Sequence, residues 1–184
     1  MMFLKKIIVI FLFPFGFIAQ PLHVQSPLRF LALGDSYTIG ESVSDNERWP
    51  NQLVDSLAQR GVIIDTLNII AKTGWRTDNL INAITNKQLD KQHYNLVGIL
   101  IGVNNQYQSK PISKYVQEFP QLLDSAIRYA GGDTSHVFIV SIPDYAATPN
   151  GQEGNAANTM VGINNYNAAN KYFADKYHIQ YFDG

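Results

Sequence analysis

Residues 30–38 of the chain read Phe30-Leu31-Ala32-Leu33-Gly34-Asp35-Ser36-Tyr37-Thr38. Four apolar residues run directly into a Gly-Asp-Ser turn, which predicts a buried strand followed by a tight turn. At the end of a parallel strand such a turn can present a hydroxyl group, so Ser36 is a candidate nucleophile. Asp35 or Ser36 could equally cap a helix, because both residue types are favoured at that position. The turn by itself leaves both interpretations open.

Apolar segments alternate with amphipathic segments along the rest of the chain. We predict strands at residues 28–33, 62–70, 96–101, 137–142 and 179–182, because each is short, apolar or β-branched and bounded by turn-forming residues. Helical spacing predicts helices at residues 49–60, 77–89, 112–130 and 158–177, and we expect Pro120 to split or restart the third of them. This alternation predicts an α/β fold with three layers, in which a flavodoxin-like parallel five-stranded sheet carries helices on both faces.

Length and composition limit the classes of protein that fit. The 184 residues suffice for one domain but not for two ordinary ones. The chain has 14 Lys and Arg against 15 Asp and Glu, so it lacks the basic excess that a nucleic-acid partner would require. It contains no cysteine, which excludes a disulfide framework, a thiolate zinc site and a cysteine nucleophile. Because no side-chain cluster has metal-ligand spacing, we expect neither a metal nor a cofactor.

The first 20 residues have the pattern of a secretory signal peptide. Lys5 and Lys6 precede an apolar run at residues 7–18, which is shorter than the roughly 20 residues that a membrane span needs. Ala19 is a possible cleavage position, although Phe17 is bulky where a small residue is preferred. We therefore expect a secreted or periplasmic protein without a stable membrane span after cleavage, and a domain that covers residues 28–184.

Two further residues follow predicted strands in the way that Ser36 does. Gly74 comes after the second strand and Asn104 after the third. The C-terminal ends of parallel strands share one edge of a sheet, so these three residues can meet in the crevice between the first and third strands. Taken alone, Gly74 and Asn104 are typical of ordinary turns and loops; their order after separate strands favours a functional site. Trp75 and Asn105 are possible substrate-lining residues beside them.

With the blocks Gly34-Asp35-Ser36, Gly74 and Gly102-x-Asn104, the chain resembles the SGNH (GDSL-type) hydrolase family over roughly residues 30–184. The resemblance implies that Ser36 attacks an ester carbonyl. It also implies that the N–H groups of Ser36 and Gly74 and the side chain of Asn104 bind the oxyanion. Donors fixed where charge develops are each worth about 10²–10³ in rate. The family commonly has Asp where this chain has Asn105, a change that concerns support of the loop more than the oxyanion donor.

The resemblance further implies a catalytic histidine in an Asp-x-x-His block after the last strand. We expect residues 28–184 to lack this block, because the sequence given ends at residues 183–184. His93, His136 and His178 precede the third, fourth and fifth predicted strands, so they belong to the edge of the sheet opposite Ser36, and His23 precedes the domain. We therefore expect the full-length protein to be an SGNH-type ester hydrolase and this chain to be inactive or weak for want of the base.

The expected substrate is a small acyl ester, for example an O-acetylated carbohydrate, because residues 104–108 and 150–158 are polar. The expected partner is accordingly a small-molecule or glycan ester. The main alternative is a noncatalytic carbohydrate- or acyl-binding module that uses the same crevice. A flavin or mononucleotide binder is less favoured, since residues 34–40 contain no lysine and a phosphate loop would not account for Gly74 and Asn104 together.

Overall fold

The fold is that of a computed structural model, which describes residues 27–87, 89, 93–147 and 156–183. The described strands form one parallel sheet in the order β2-β1-β3-β4-β5, with bounds β1 Leu28–Gly34, β2 Ile64–Ala71, β3 Leu96–Leu100, β4 Val137–Val140 and β5 Gln180–Phe182. The predicted α/β fold with a flavodoxin-like five-stranded sheet is confirmed. The predicted signal peptide and His23 lie outside the described residues.

Helices connect successive strands, with bounds α1 Ser36–Ile39, α2 Trp49–Ala58, α3 Thr77–Thr85, α4 Val103–Tyr107, α5 Ile112–Tyr129 and α6 Ala156–Tyr177. The short helix α1 after β1 corresponds to the helix-cap interpretation of the Gly-Asp-Ser turn, whereas the short helix α4 after β3 was not expected from the sequence pattern. Within the described part of the chain, every helix is too short or too polar to cross a membrane.

The strand register brings the loops after β1, β2 and β3 to the same height. β1 pairs in parallel with both neighbours, and its last residue, Gly34, lies opposite Ala71 of β2 and Leu100 of β3. Three loops therefore leave the sheet at one edge: the loop with Ser36, residues 72–76 and residues 102–104. A functional site assembled from all three loops is possible at this edge alone.

Helices cover both faces of the sheet, so both faces are buried. Successive residues of a strand point to opposite faces and therefore pack into different cores. Leu31 and Leu33 belong to the larger core, which includes residues of α3, α5 and α6. Phe30 and Ala32 belong to a smaller core that packs against Trp49 and other residues of α2. This double burial is the reason that β1 is an uninterrupted apolar run in the sequence.

Helix α5 continues through Pro120, so the prediction that this residue splits or restarts the helix is wrong. A proline inside a helix removes one hydrogen bond and leaves the carbonyl group four residues earlier without its N–H partner. That residue is Val116, which is 41% exposed, so solvent can hydrate the carbonyl group. The buried face of α5, which includes Phe119 and Leu122, holds the helix in place on the other side.

Candidate active site

Ser36 is the first residue of α1 and lies half-buried directly after β1. Asp35 caps this helix, since its Oδ1 accepts a hydrogen bond from the N–H of Tyr37 at 3.0 Å. Gly40 ends the helix in the left-handed conformation, with φ at 66°. Both interpretations of the Gly-Asp-Ser turn are therefore compatible: Asp35 is a helix cap, and the same turn presents Ser36.

Gly34 is needed because the chain makes close contacts at the end of β1. A Cβ atom at this position would overlap the side chain of Thr38 and the carbonyl oxygen of Leu100. The carbonyl oxygen belongs to β3 and cannot move without disturbing the sheet. The glycine thus lets α1, which carries Ser36, begin directly against β3.

Asp35 is fully buried beneath this turn. Burial raises its pKa from 3.8 to about 7, and the N–H groups of Tyr37 and Gly102 lower the pKa in part. Among the described residues, its Oδ2 has no hydrogen-bond partner of ordinary geometry. The charged form of this carboxyl group is therefore costly in the folded protein, and protonation near neutral pH relieves that cost.

The side chain of Asn104 is oriented by the loop that follows β2. Its Nδ2 donates to the carbonyl oxygen of Trp75 at 2.9 Å, and the second N–H of the amide is not used in this bond. Gln108 donates to the carbonyl oxygen of Gly74 at 3.1 Å and accepts from Arg76 at 2.5 Å. Gly74 has φ at 77°, a conformation that glycine adopts without strain. These bonds fix the two predicted oxyanion residues relative to one another.

Asn105 is completely buried, and its side chain binds Thr77 at both ends. Its Oδ1 accepts from the N–H of Thr77 at 3.1 Å, and its Nδ2 donates to the hydroxyl oxygen of Thr77 at 2.8 Å. The prediction that Asn105 lines a substrate crevice is therefore wrong, because the side chain is occupied in holding α4 to α3. Trp75 is half-buried and packs against the larger core. It is not among the described residues that line the two clefts containing Ser36, which are described below.

A row of ion pairs links the start of α3 to α5 next to these loops. Asp78 lies 3.0 Å from Arg76 and 3.2 Å from Lys114, which in turn lies 2.6 Å from Glu118. Burial raises the pKa of Asp78, but hydrogen bonds from Arg76 and Lys114 outweigh this effect and hold the pKa below its ordinary value. The charges alternate in sign and join α3 to α5.

Ser36 and Asn104 line the same cleft, which has a volume of about 550 Å³. Gly74 is not itself among the lining residues but directly follows Thr73, which is. The remaining described residues of this first cleft are Tyr37, Glu41, Val103, Tyr107 and Tyr145. The structure thus brings two of the three predicted residues into one cleft and places the third at its margin.

A second cleft, of about 490 Å³, adjoins the first and shares Ser36, Tyr37 and Glu41 with it. Its other walls come mainly from α2 and the loop before it, and from residues at the ends of β3 and β4. Sequence reasoning missed Glu41, Thr73 and Tyr145. No motif marks them, because they lie in loops whose position depends on the assembled sheet.

The three described histidines lie at the opposite edge of the sheet. His93, His136 and His178 precede β3, β4 and β5 respectively, whereas Ser36 follows β1. All strands are parallel, and a strand of five residues spans about 17 Å. None of these three side chains is among the described residues that line either cleft. Within the described residues there is also no group of three His, Cys, Asp or Glu side chains that could hold a metal ion.

Comparison with known proteins gives one family and many similar folds. The model of the GDSL-like lipase/acylhydrolase family matches residues 32–184. AlinE4, an SGNH-hydrolase family esterase, is 19% identical with a TM-score of 0.65, over 85% of this chain and 76% of that one. The psychrotrophic esterase EstA from Pseudoalteromonas sp., solved with monoethylphosphonate as inhibitor, is 13% identical with a TM-score of 0.61, over 85% and 76%.

A phospholipase A1 from Streptomyces albidoflavus NA297 is 14% identical with a TM-score of 0.60, over 85% of this chain and 79% of that chain. At such low identities these likenesses concern the fold. No curated protein matches the chain by sequence.

Proposed function

The chain belongs to the GDSL-like lipase/acylhydrolase (SGNH hydrolase) family, and on that premise we propose that its fold serves a serine ester hydrolase that works through an acyl-enzyme. The observation that carries the proposal is the shared cleft of Ser36 and Asn104, with Gly74 at its margin. These residues come from three separate loops, and the level ends of β1, β2 and β3 bring them together.

Each residue has a defined part in the proposed reaction. The hydroxyl oxygen of Ser36 bonds to the ester carbonyl carbon, the bond from that carbon to the alcohol oxygen breaks, and the alcohol leaves with a proton. Water then attacks the acyl-serine and releases the acid. The N–H groups of Ser36 and Gly74 and the side chain of Asn104 donate to the oxyanion, and the bond to Trp75 holds the Asn104 amide in one orientation before the reaction begins.

A serine hydroxyl is a weak nucleophile at neutral pH unless a base accepts its proton. His93, His136 and His178 lie at the edge opposite Ser36, so none of these described histidines is within reach. We therefore expect this chain to turn over esters slowly. The same observation favours the second candidate function, a noncatalytic carbohydrate- or acyl-binding module that uses the same cleft.

The proposed substrate is a small acyl ester, and an O-acetylated carbohydrate is the leading example. Tyrosine, threonine, glutamate and asparagine side chains surround Ser36 in the first cleft, which suits a hydroxylated alcohol better than a long lipid chain. The proposed location, secreted or periplasmic, rests on the charged and apolar pattern of residues 1–20.

A serine-directed phosphonate tests the proposal. It should attach slowly to Ser36, as read by mass spectrometry of peptides after prolonged incubation, and Ser36→Ala should lose both the attachment and any turnover of p-nitrophenyl acetate. Ser56→Ala, on α2, is the matched control and should keep both. Labelling that persists in Ser36→Ala would contradict the assignment. A folded protein that binds glycosides but shows neither labelling nor turnover would instead favour the binding module.

A further inference from the structure

We propose that the outer part of the first cleft is a subsite for a hydroxylated, uncharged portion of the substrate, such as a sugar ring. All four residues that we assign to this subsite line the first cleft: Glu41 and Thr73 provide what we call its hydrogen-bonding side, and Tyr107 and Tyr145 provide what we call its aromatic side. The inference rests on the proposed function, because it is the ester carried by this portion that Ser36 would attack.

Glu41 and Thr73 supply the hydrogen-bonding side. The hydroxyl group of Thr73 donates to the carboxylate of Glu41, which joins the loop after α1 to the loop after β2. Both residues are exposed and line the cleft that contains Ser36. A carboxylate has about four acceptor positions, so Glu41 can accept further hydrogen bonds while it holds Thr73. Sugar hydroxyl groups are donors of the kind that it would accept.

Tyr107 and Tyr145 supply the aromatic side. Their ring centroids lie 6.0 Å apart with an interplanar angle of 66°, and Tyr145 donates through its hydroxyl group to Gln106 at 2.6 Å. Tyr107 remains 69% exposed. A pyranose ring has an apolar face of C–H groups and a rim of hydroxyl groups, so it can place that face on an exposed aromatic ring. Tyr145, held by Gln106, fixes the ring of Tyr107 from the side.

Charge selects among the ligands that fit this shape. Of the eight described residues that line the first cleft, Glu41 alone carries a charge at neutral pH. In the adjoining cleft Arg48 is paired with Asp45 at 2.5 Å, so its charge is already compensated. The described lining of the first cleft therefore carries a formal negative charge. A neutral glycoside is therefore preferred to a sugar acid of the same shape.

A binding titration that needs no turnover tests the subsite. Methyl glucopyranoside and its anionic counterpart, methyl glucopyranosiduronate, are titrated into the full chain, and chemical shifts of the protein are followed by NMR. The neutral glycoside should perturb the resonances of Thr73 and Tyr107 and should bind about 3- to 10-fold more tightly than the uronate, because the carboxylate of Glu41 repels the second carboxylate. Glu41→Gln should remove this preference.

The aromatic side is tested with a second set of variants. Tyr107→Ala should weaken binding of the neutral glycoside by about 3- to 10-fold, whereas Tyr107→Phe, which keeps the ring, should preserve it. Two matched controls should change nothing: Tyr172→Ala, at a tyrosine of α6 that is 61% exposed, and Asp55→Asn, at an exposed position of α2.

The outcomes separate this inference from the proposed function. Selective binding that depends on Glu41 and Tyr107 supports the subsite even if the phosphonate fails to label Ser36. If the phosphonate labels Ser36 but glycoside binding is the same in the Glu41 and Tyr107 variants as in the wild type, the subsite is overturned and the hydrolase assignment remains. The same holds if Ser36 is labelled and the glycoside shifts resonances elsewhere in the chain.

Discussion

The side-chain amide of Asn104 donates to the main-chain carbonyl of Trp75 across 2.9 Å, and this bond joins the loop after β3 to the loop after β2. The two loops that carry the proposed oxyanion donors Gly74 and Asn104 are therefore held in a fixed position relative to one another. Gln108 adds a second bond between the same loops, to the carbonyl oxygen of Gly74. The site is held in its geometry before a substrate arrives, which is the condition for efficient stabilisation of developing charge.

Asn104→Ala should slow phosphonate labelling of Ser36 by about 10²–10³, because one donor to the developing negative oxygen is lost. In any turnover assay it should lower kcat more than it raises KM. Asn105→Ala is the contrasting variant. It should cost about 1–3 kcal/mol of stability by leaving the buried N–H of Thr77 without its acceptor. If Asn104→Ala instead changes KM alone, Asn104 binds the substrate in its ground state.

Gly34→Ala and Gly74→Ala should differ sharply in stability, as measured by urea unfolding. The first places a Cβ against the carbonyl oxygen of Leu100 and should cost about 3 kcal/mol or more. The second meets no atom within 4 Å, so its cost should be limited to about 1–2 kcal/mol for the left-handed backbone. Equal losses in the two variants would contradict this account.

Stability should depend on pH through Asp35. In the unfolded chain this carboxyl group releases its proton near 3.8, whereas in the fold burial keeps the proton bound up to about 7. Between these values the folded protein holds one more proton, so the free energy of unfolding falls as the pH rises. The total contribution is at most about 4 kcal/mol, and the loss is complete above about pH 7.

Asp35→Asn should remove this dependence, as chemical unfolding of both proteins at a series of pH values will show. Asp78→Asn is the control, because the pKa of Asp78 is lowered rather than raised. Its stabilisation is present above about pH 4 and lost in more acidic solution. The stability difference between that variant and the wild type should therefore be constant from about pH 5 to 7. A constant difference for Asp35→Asn over the same range would disprove the buried-carboxyl account.

Imidazole in the solution should accelerate ester turnover beyond its uncatalysed effect, because it can act as the base that the three described histidines are too distant to provide. Ser36→Ala should show no such acceleration. Alanine substitution of His93, His136 or His178 should leave basal turnover unchanged. Loss of turnover in one of these three variants would show that a histidine does reach the serine.

The sequence predicted the sheet because its signals are local. Apolar runs bounded by turn residues gave all five strands within about two residues, and helical spacing gave the four longer helices. The predicted start of β2 was two residues too early. Val62 and Ile63 are residue types common in strands, but they are 39% and 59% exposed, and β2 begins at Ile64. The outcome at Pro120 was unpredictable for a related reason, since it depends on which side of α5 faces solvent.

The site was predictable in part. Ser36, Gly74 and Asn104 each follow a strand, and parallel topology then requires their loops to share an edge. The direction of a side chain was not predictable in this way, and Asn105 points inward to Thr77 although its neighbour Asn104 lines the cleft. Adjacent residues of an α-helix point about 100° apart, so neighbours in α4 can have different surroundings, and a helix of five residues leaves little periodic signal in the sequence.

The position of β1 also has a consequence for how the protein is synthesised and folds. β1 is synthesised before both of its partner strands, yet it lies inside the sheet and pairs with residues 64–71 on one side and 96–100 on the other. β1 therefore has no partner strand until β2 is complete, about forty residues after Gly34, and lacks its second partner until about seventy residues after it. Pairing over such sequence separations closes large loops and slows folding. During that interval Phe30 and Leu31, which are fully buried in the finished fold, remain open to aggregation.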